Sequence, residues 1–191
     1  MQSSDPYIAP ETGILRNLVG AKNLAELHER EANISAVGEL LTDTISRTND
    51  FVELSAIHKT LFGPVYDWAG KKRTVNIRRG NGDYFLDYSN LDTGLNFVFS
   101  SLAERNNLVG LKRDDFIQQI TYFYEQLNYV HPFREGNGRA QRLFWTRVAR
   151  DAGYRIDWSQ VIGNELDEAS RVAREEDNMG PLIEMFKRIV I

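Results

Sequence analysis

The stretch HPFREGNGRAQRLFW, His131 to Trp145, packs a histidine, an acid, a Gly-Asn-Gly turn and several arginines into twelve positions, then runs into Leu-Phe-Trp. Pro132 ends any helix that reaches His131 and pushes that residue towards extended backbone, so the imidazole projects from a helix end. The helix dipole, or a nearby carboxylate or phosphate, would favour its protonated form; burial would oppose it. Histidine is the side chain best suited to take a proton from a hydroxyl near neutral pH. Phe133, apolar between polar neighbours, reads as a plug that anchors the loop. Gly136, Asn137 and Gly138 let backbone N–H groups turn inward, and the next helix adds free N–H groups and a partial positive charge: a cradle for phosphate. Arg139 and Arg142 share one face of that helix's first turn, and two guanidinium groups there suit a polyphosphate. Glu135 would repel such a ligand unless a cation intervened, and Mg²⁺ is held by one or two carboxylates plus phosphate oxygens. These parts suit phosphoryl or nucleotidyl transfer to a hydroxyl. No G-x-x-x-x-G-K-[ST] run occurs, so this is not a P-loop enzyme. Each part also has a purely structural use (His-Pro ends helices, Gly-Asn-Gly connects them), and residue chemistry alone leaves both readings open.

Helices must position this stretch. Asn23 caps a helix through LAELHEREANISAVGELL, with Leu24, Leu27, Ile34, Val37, Leu40 and Leu41 as its apolar positions. A second fits Asp50 to Phe62, stopped by Gly63-Pro64. Between Asn90 and Arg105 lies a third. The clearest is Asp114 to Val130, where Phe116, Ile120, Phe123, Leu127 and Val130 form a core-facing stripe that delivers His131. Others run from about Gly138 to Ala152, from Trp158 to about Glu175, and from Pro181 to Val190. Thr74, Val75 and Ile77 favour extended backbone, Gly80-Asn81-Gly82 marks a turn, and Tyr84-Phe85-Leu86 return, which predicts an exposed β-hairpin over 73–87 leaning on the helices. The expected fold is mainly α: a helical bundle with one short hairpin.

The bulk numbers agree. At 191 residues and 42% hydrophobic composition, the chain suits a single domain with a real core. A net charge of −4 gives no general affinity for nucleic acid. Without cysteine there is neither a disulfide nor Cys-ligated zinc, and the three histidines form no H-E-x-x-H pattern. No apolar run suggests a signal peptide or a membrane span, so neither membrane nor nucleic acid is an expected partner. His28 and His58 read as structural, and Trp68, Trp145 and Trp158 as packing anchors.

HPFREGNGRAQR resembles the Fic-family signature H-x-F-x-[DE]-G-N-G-R-x-x-R, matching at His131, Phe133, Glu135, Gly136, Asn137, Gly138, Arg139 and Arg142. The likeness extends to IHKTLF and YDWAG before residues 73–87, to the lead DPYIAPETGILRNLVG and to GYRIDWSQV, and so covers most of the chain. The resemblance implies one Fic domain over 1–191, with a lead over 1–22, a flap at 73–87 and the active-site motif at 131–142. It implies transfer of AMP from ATP to a Tyr, Thr or Ser hydroxyl of a target protein. His131 would be the base and Glu135 the Mg²⁺ ligand. Arg134, Gly136, Asn137, Gly138, Arg139 and Arg142 would bind the nucleotide, the last two at the β- and γ-phosphates. The flap residues Thr74, Val75, Asn76, Ile77, Arg78 and Arg79 would hold the target segment as an added strand. In the Doc branch a lysine stands where this chain has Gly138, and the reaction becomes phosphorylation; glycine favours AMP transfer. Phosphocholine transfer stays open.

Relatives are often held off by an inhibitory helix of pattern [ST]-x-x-x-E-[GN], whose Glu pairs with the second motif arginine, here Arg142. The nearest runs, SAVGEL from Ser35 and SSLAER from Ser100, lack the last position. The expectation is therefore inhibition in trans by a small antitoxin-like protein, with this chain as the toxin. The resemblance suggests DNA gyrase and topoisomerase IV as targets in a bacterial cytoplasm. The alternatives are a secreted effector modifying host small GTPases, a non-catalytic binding module, and removal of AMP from a modified target.

Overall fold

The computed structural model describes residues 5–191. Among these residues seven α-helices form: α1 Leu24–Leu41, α2 Phe51–Phe62, α3 Leu91–Glu104, α4 Arg113–Val130, α5 Asn137–Asp151, α6 Glu165–Glu175 and α7 Gly180–Ile189. The mainly α expectation holds. Side-chain caps start the first two helices. The Asn23 side chain accepts from the Glu26 N–H, and Asp50 accepts from Val52 and Glu53. Pro181 lies in the first turn of α7.

α4 is the central helix, packed against α3, α5, α6 and α7. Its stripe Phe116, Ile120, Phe123, Leu127 and Val130 is buried as expected. Trp145, Phe144 and Val148 of α5 fill the space beside it. A buried ion pair, Arg147 with Glu53, ties α5 to α2. Arg147 also donates to the carbonyls of Thr42 and Ile45 at 2.7 and 2.6 Å, and Glu53 accepts from the Thr48 and Asn49 N–H groups. No helix among the described residues is long and apolar enough to cross a membrane.

Three local expectations are corrected. α1 has the expected span but not the expected buried face. Leu24, Val37, Leu40 and Leu41 are exposed, Ile34 is half-buried, and the buried side is Leu27, Glu31, Ser35 and Gly38. Gly38 lies where α1 meets α2: a Cβ there would stand 2.8 Å from the Thr60 carbonyl oxygen, so only glycine permits the approach. The helix expected from Trp158 onward is two pieces. A 3-10 turn spans Trp158–Gln160, Gly163 adopts φ 55°, and α6 begins afresh at Glu165.

The segment 73–87 turns back on itself with a single bridge, Arg78 to Tyr84, and one bond from the Phe85 N–H to the Ile77 carbonyl (3.1 Å), not a two-stranded ladder. The buried Arg73 explains this. Its guanidinium takes the carbonyl of Val75, which a ladder would use, together with those of Leu86 and of Val130 and His131 at the end of α4. Side-chain bonds replace strand pairing, and the segment is fastened to the helix that carries the histidine.

Candidate active site

His131 closes α4. Its N–H bonds to the Leu127 carbonyl (3.0 Å), and its backbone is left-handed (φ 46°, ψ 63°), not extended as Pro132 suggested. The left-handed cap reverses the chain and lays the imidazole on the Phe85 ring, 3.7 Å between centroids and nearly parallel. Arg174 of α6 covers Phe85 from 4.8 Å. Nδ1 lies 3.1 Å from the Asn128 carbonyl, which can only accept, so Nδ1 carries the proton and the Nε2 lone pair is free. Burial drives the imidazole pKa down to about 3, and Arg73, Arg174 and Arg79 add to this against the opposing Asn128 bond. Burial, not the helix dipole, decides its charge: the ring is neutral.

The loop after His131 is held from within. Phe133 is fully buried, as a plug. The Asn137 carboxamide accepts from the Phe133 N–H and donates to its carbonyl, both at 2.8 Å, so its side chain shapes the loop, and its backbone opens α5. Gly136 has φ 78°, and a Cβ there would come within 2.4 Å of the Phe62 ring; no other residue fits. Nothing lies within 4 Å of a Cβ built on Gly138, which opens to the cavity.

His58 is structural, as read, and the structure shows what it holds. Its Nδ1 accepts from the Gly70 N–H and its Nε2 donates to the Glu135 carbonyl, both at 2.9 Å, while its ring stacks on Phe133 at 3.8 Å. Burial pushes its pKa down to about 4. A neutral, fully buried histidine on α2 thus sets the backbone of the motif loop. No local signal marks it, because its partner is 77 residues away.

A cavity of about 740 Å³ opens in front of this loop, within the size range of small-molecule sites. It brings together His131, Arg134, Glu135, Gly136, Asn137, Gly138, Arg139 and Arg142 with Ile77, Arg78 and Arg79 of the folded-back segment. Thr74, Val75 and Asn76 stand off its wall. Thr74 faces the Tyr7 hydroxyl at 3.3 Å, and Asn76 donates to Asp87 at 2.7 Å. Another wall is α6, which the sequence reading assigned no part in the site. Arg79 makes a two-pronged ion pair with Asp167 (2.6 and 2.7 Å), and Glu175 accepts from the Asp83 N–H (3.2 Å), so α6 holds the turn of 73–87 over the cavity.

The arginines differ in what occupies them. Arg134 is engaged by Asp5 at 2.9 and 2.8 Å, which pins the leading segment to the motif. Arg139 is held by Glu31 and Ser35 of α1. Among the described residues the Arg142 guanidinium has no hydrogen bond and no ion pair; only its backbone carbonyl is used, by Thr146. A free guanidinium beside a helix N-terminus suits an anion. Glu135 is exposed on the rim, and its Oε1 accepts from the Gly136 N–H at 3.0 Å. One carboxylate with a free oxygen facing an anion site fits Mg²⁺ that shares its remaining positions with phosphate oxygens and water.

The fold and site define a helical domain in which a neutral histidine and the Gly-Asn-Gly entry to α5 face one cavity. The model of the Fic/DOC family matches residues 49–149, more than half of the chain, and the chain belongs to that family. The protein adenylyltransferase VbhT of Bartonella schoenbuchensis is 42% identical over 88% of this chain, which spans 35% of that protein's length. The N-terminal Fic domain of a VirB-translocated Bep effector from Bartonella quintana, solved with bound ADP, superposes with a TM-score of 0.92 at 29% identity, covering 97% of this chain and 94% of that one. BepC of Bartonella tribocorum, solved with AMPPNP, also gives 0.92, at 26% identity over 97% of this chain and 96% of that one.

Proposed function

We propose that this chain is a protein adenylyltransferase that moves AMP from ATP to a Tyr, Thr or Ser hydroxyl of another protein. The observation that carries the reading is the pairing, on one cavity, of a His131 Nε2 with a free lone pair and an unpartnered Arg142 beside the N-terminus of α5. The target hydroxyl oxygen attacks the α-phosphorus. The bond from that phosphorus to the bridging oxygen breaks, pyrophosphate leaves with the electron pair, and the hydroxyl proton passes to Nε2. Gly136, Gly138 and the backbone of Asn137 bind phosphate oxygens, while Arg139 and Arg142 bind the β- and γ-phosphates and stabilise the leaving group. Glu135 would hold Mg²⁺, which neutralises phosphate charge when bound. The relative named a protein adenylyltransferase, and the Bep effector domains solved with ADP or AMPPNP, support this reading.

A neutral histidine can accept a proton but is a weak base at a pKa of about 3. Bound polyphosphate would raise it, by bringing negative charge beside the ring. Arg73 ties residues 73–87 to α4, which keeps the flap, and the target segment it would present, in register with His131.

The target proposed is a type II topoisomerase, with inhibition in trans by a small helical protein. Glu39 and Glu104, the acids of the two near-match inhibitory runs, are exposed and make no bond to Arg142. A second reading is a secreted effector, which the VirB-translocated Bep relatives favour; host small GTPases would then be its targets. One experiment tests the activity and separates the targets. The protein and its His131→Ala variant are incubated with Mg²⁺, α- or γ-labelled ATP, and either gyrase or host-cell lysate. Label from the α position alone, lost with His131→Ala, is expected. Label from the γ position, or label that survives the substitution, would refute the mechanism.

A further inference from the structure

α1 buries an unusual face. Glu31 and Ser35 are both about 5% exposed, and the apolar residues beside them are Leu27, fully buried, and Ile34, half-buried against the core. Burying a carboxylate costs several kcal/mol unless it is paired and hydrogen-bonded, so a helix that turns this side inward has something there to meet. What it meets is Arg139. One guanidinium nitrogen pairs with Glu31 Oε1, and the other donates to Ser35 Oγ at 3.1 Å. The second Glu31 oxygen accepts from the Tyr66 hydroxyl, whose phenol is pushed far above its usual range by burial and by this bond, and so stays a donor. The flat face of Arg139 rests on the Phe62 ring, 4.5 Å from its centroid. Phe62 also abuts Gly136, so the same ring shapes the cradle and supports the arginine.

The direction of the contact matters. Arg139 lines the cavity; Glu31, Ser35, Tyr66 and Phe62 do not. The carboxylate stands behind the guanidinium, away from the ligand space, with its side chain 6% exposed against 32% for Arg139. An inhibitory acid would sit in front, where the phosphate goes. Arg139 has five N–H donors, and the two bonds to α1 leave the others for the cavity. Guanidinium clamps work when the fork is already aimed, because the rotamer entropy of a long side chain is then lost on folding and not on binding.

We propose that Glu31, with Ser35 and Tyr66, is the positioning group for Arg139, fixing its fork so that its cavity-facing donors meet the nucleotide's outer phosphates. This rests on the reading of the cavity as a nucleotide site. It also gives α1, which lies outside the matched family region of residues 49–149, a direct part in the reaction.

The test is a thermodynamic cycle on ATP and AMP binding, read by calorimetry with Mg²⁺, for the protein, Glu31→Gln, Arg139→Ala and the double variant, beside steady-state transfer rates and melting curves. Glu31→Gln keeps an acceptor for Tyr66 but drops the charge that orients Arg139. The expected result is weaker ATP binding, on the order of tenfold, with a matching rise in KM. AMP, which lacks the outer phosphates, is expected to bind within about twofold of the unmodified protein. In the Arg139→Ala background Glu31→Gln should have no further effect on ATP, since the group it positions is gone. A general structural role would instead weaken AMP and ATP alike, or add to Arg139→Ala, and either outcome overturns the proposal. Tighter ATP binding by Glu31→Gln would also overturn it, by showing that the acid competes with the ligand. If Arg139→Ala itself leaves ATP binding unchanged, the phosphate reading of Arg139 fails and takes this proposal with it, which distinguishes that failure from a failure of Glu31 alone. Should Glu31→Gln not fold, Ser35→Ala and Tyr66→Phe carry the same cycle: each loosens one support and is expected to weaken ATP about two- to fivefold with AMP unchanged. No change in either variant overturns the proposal.

Discussion

Acidification should reveal the two depressed histidines, His58 buried and His131 half-buried at the cavity, as a countable number of protons. His58 falls from 6.5 to about 4 and His131 to about 3, both chiefly by burial. Glu125 of α4 moves the other way, from 4.5 up to about 7, again by burial. In the window from about pH 5.3 to 6.3 the unfolded chain binds protons at both histidine positions that the folded chain refuses, and the folded chain keeps one on Glu125 that the unfolded chain releases. A depressed histidine contributes stability that is complete above its unfolded pKa and is lost as pH falls towards the folded one. A raised carboxyl contributes stability that grows as pH falls. The balance is two protons against one, so folding stability should fall on acidification. With roughly 1.36 kcal/mol per proton per pH unit and incomplete titration at the window's edges, the loss is about 1 kcal/mol. His58→Gln keeps a donor for the Glu135 carbonyl and removes one titrating group. Its stability should be nearly flat across the window, while Glu125→Gln should steepen the loss to about 2 kcal/mol. Urea unfolding at several pH values measures each slope. Equal slopes for the unmodified protein and His58→Gln would show that His58 is not held neutral, and the burial argument for the motif loop would fail with it.

Two further perturbations test how the site is supported. Arg147→Ala leaves the Glu53 charge buried and two carbonyls without a donor, so it should destabilise by about 3–5 kcal/mol, whereas Arg47→Ala, which breaks a half-exposed pair with Asp151, should cost under about 1 kcal/mol; comparison of melting curves decides. Gly136→Ala meets both a left-handed backbone and the Phe62 ring and should lower stability by about 2 kcal/mol or more, while Gly138→Ala, with open space at its Cβ, should stay within about 1 kcal/mol, and a reversed ranking would refute the steric reading of the cradle.

What was legible in the sequence is what neighbouring residues decide among themselves. The α4 stripe, the Asn23 cap, the Phe133 plug and the Gly-Asn-Gly entry to α5 each depend on residues within a few positions, and each is found where it was read. The conformation of His131 was not legible. Pro132 argued for extended backbone, but closing α4 with a left-handed cap and stacking on Phe85 outweighs that local preference. Nor was the loss of the hairpin ladder, because the group that takes its carbonyls, Arg73, reads in sequence as one more member of a basic cluster.

α1 shows why periodicity misled where function was concerned. Reading the apolar residues at helical spacing assumes that a helix buries its apolar side because the only thing inside is a core. Val37, Leu40 and Leu41 satisfy the spacing and are exposed, while Glu31 and Ser35 lie inward because their partner, Arg139, belongs to the site. That partner is 108 residues further along the chain, so no window on the sequence contains both. The same holds for His58 with Glu135, for Asp5 with Arg134 and for Arg79 with Asp167. In each pair one residue belongs to the motif or to the segment over the cavity, and the other comes from an element whose local pattern gave it no role. The motif supplies groups that face the cavity; distant polar residues, buried like Glu31 and His58 or exposed like Asp167, decide where those groups point, and no local pattern marks them.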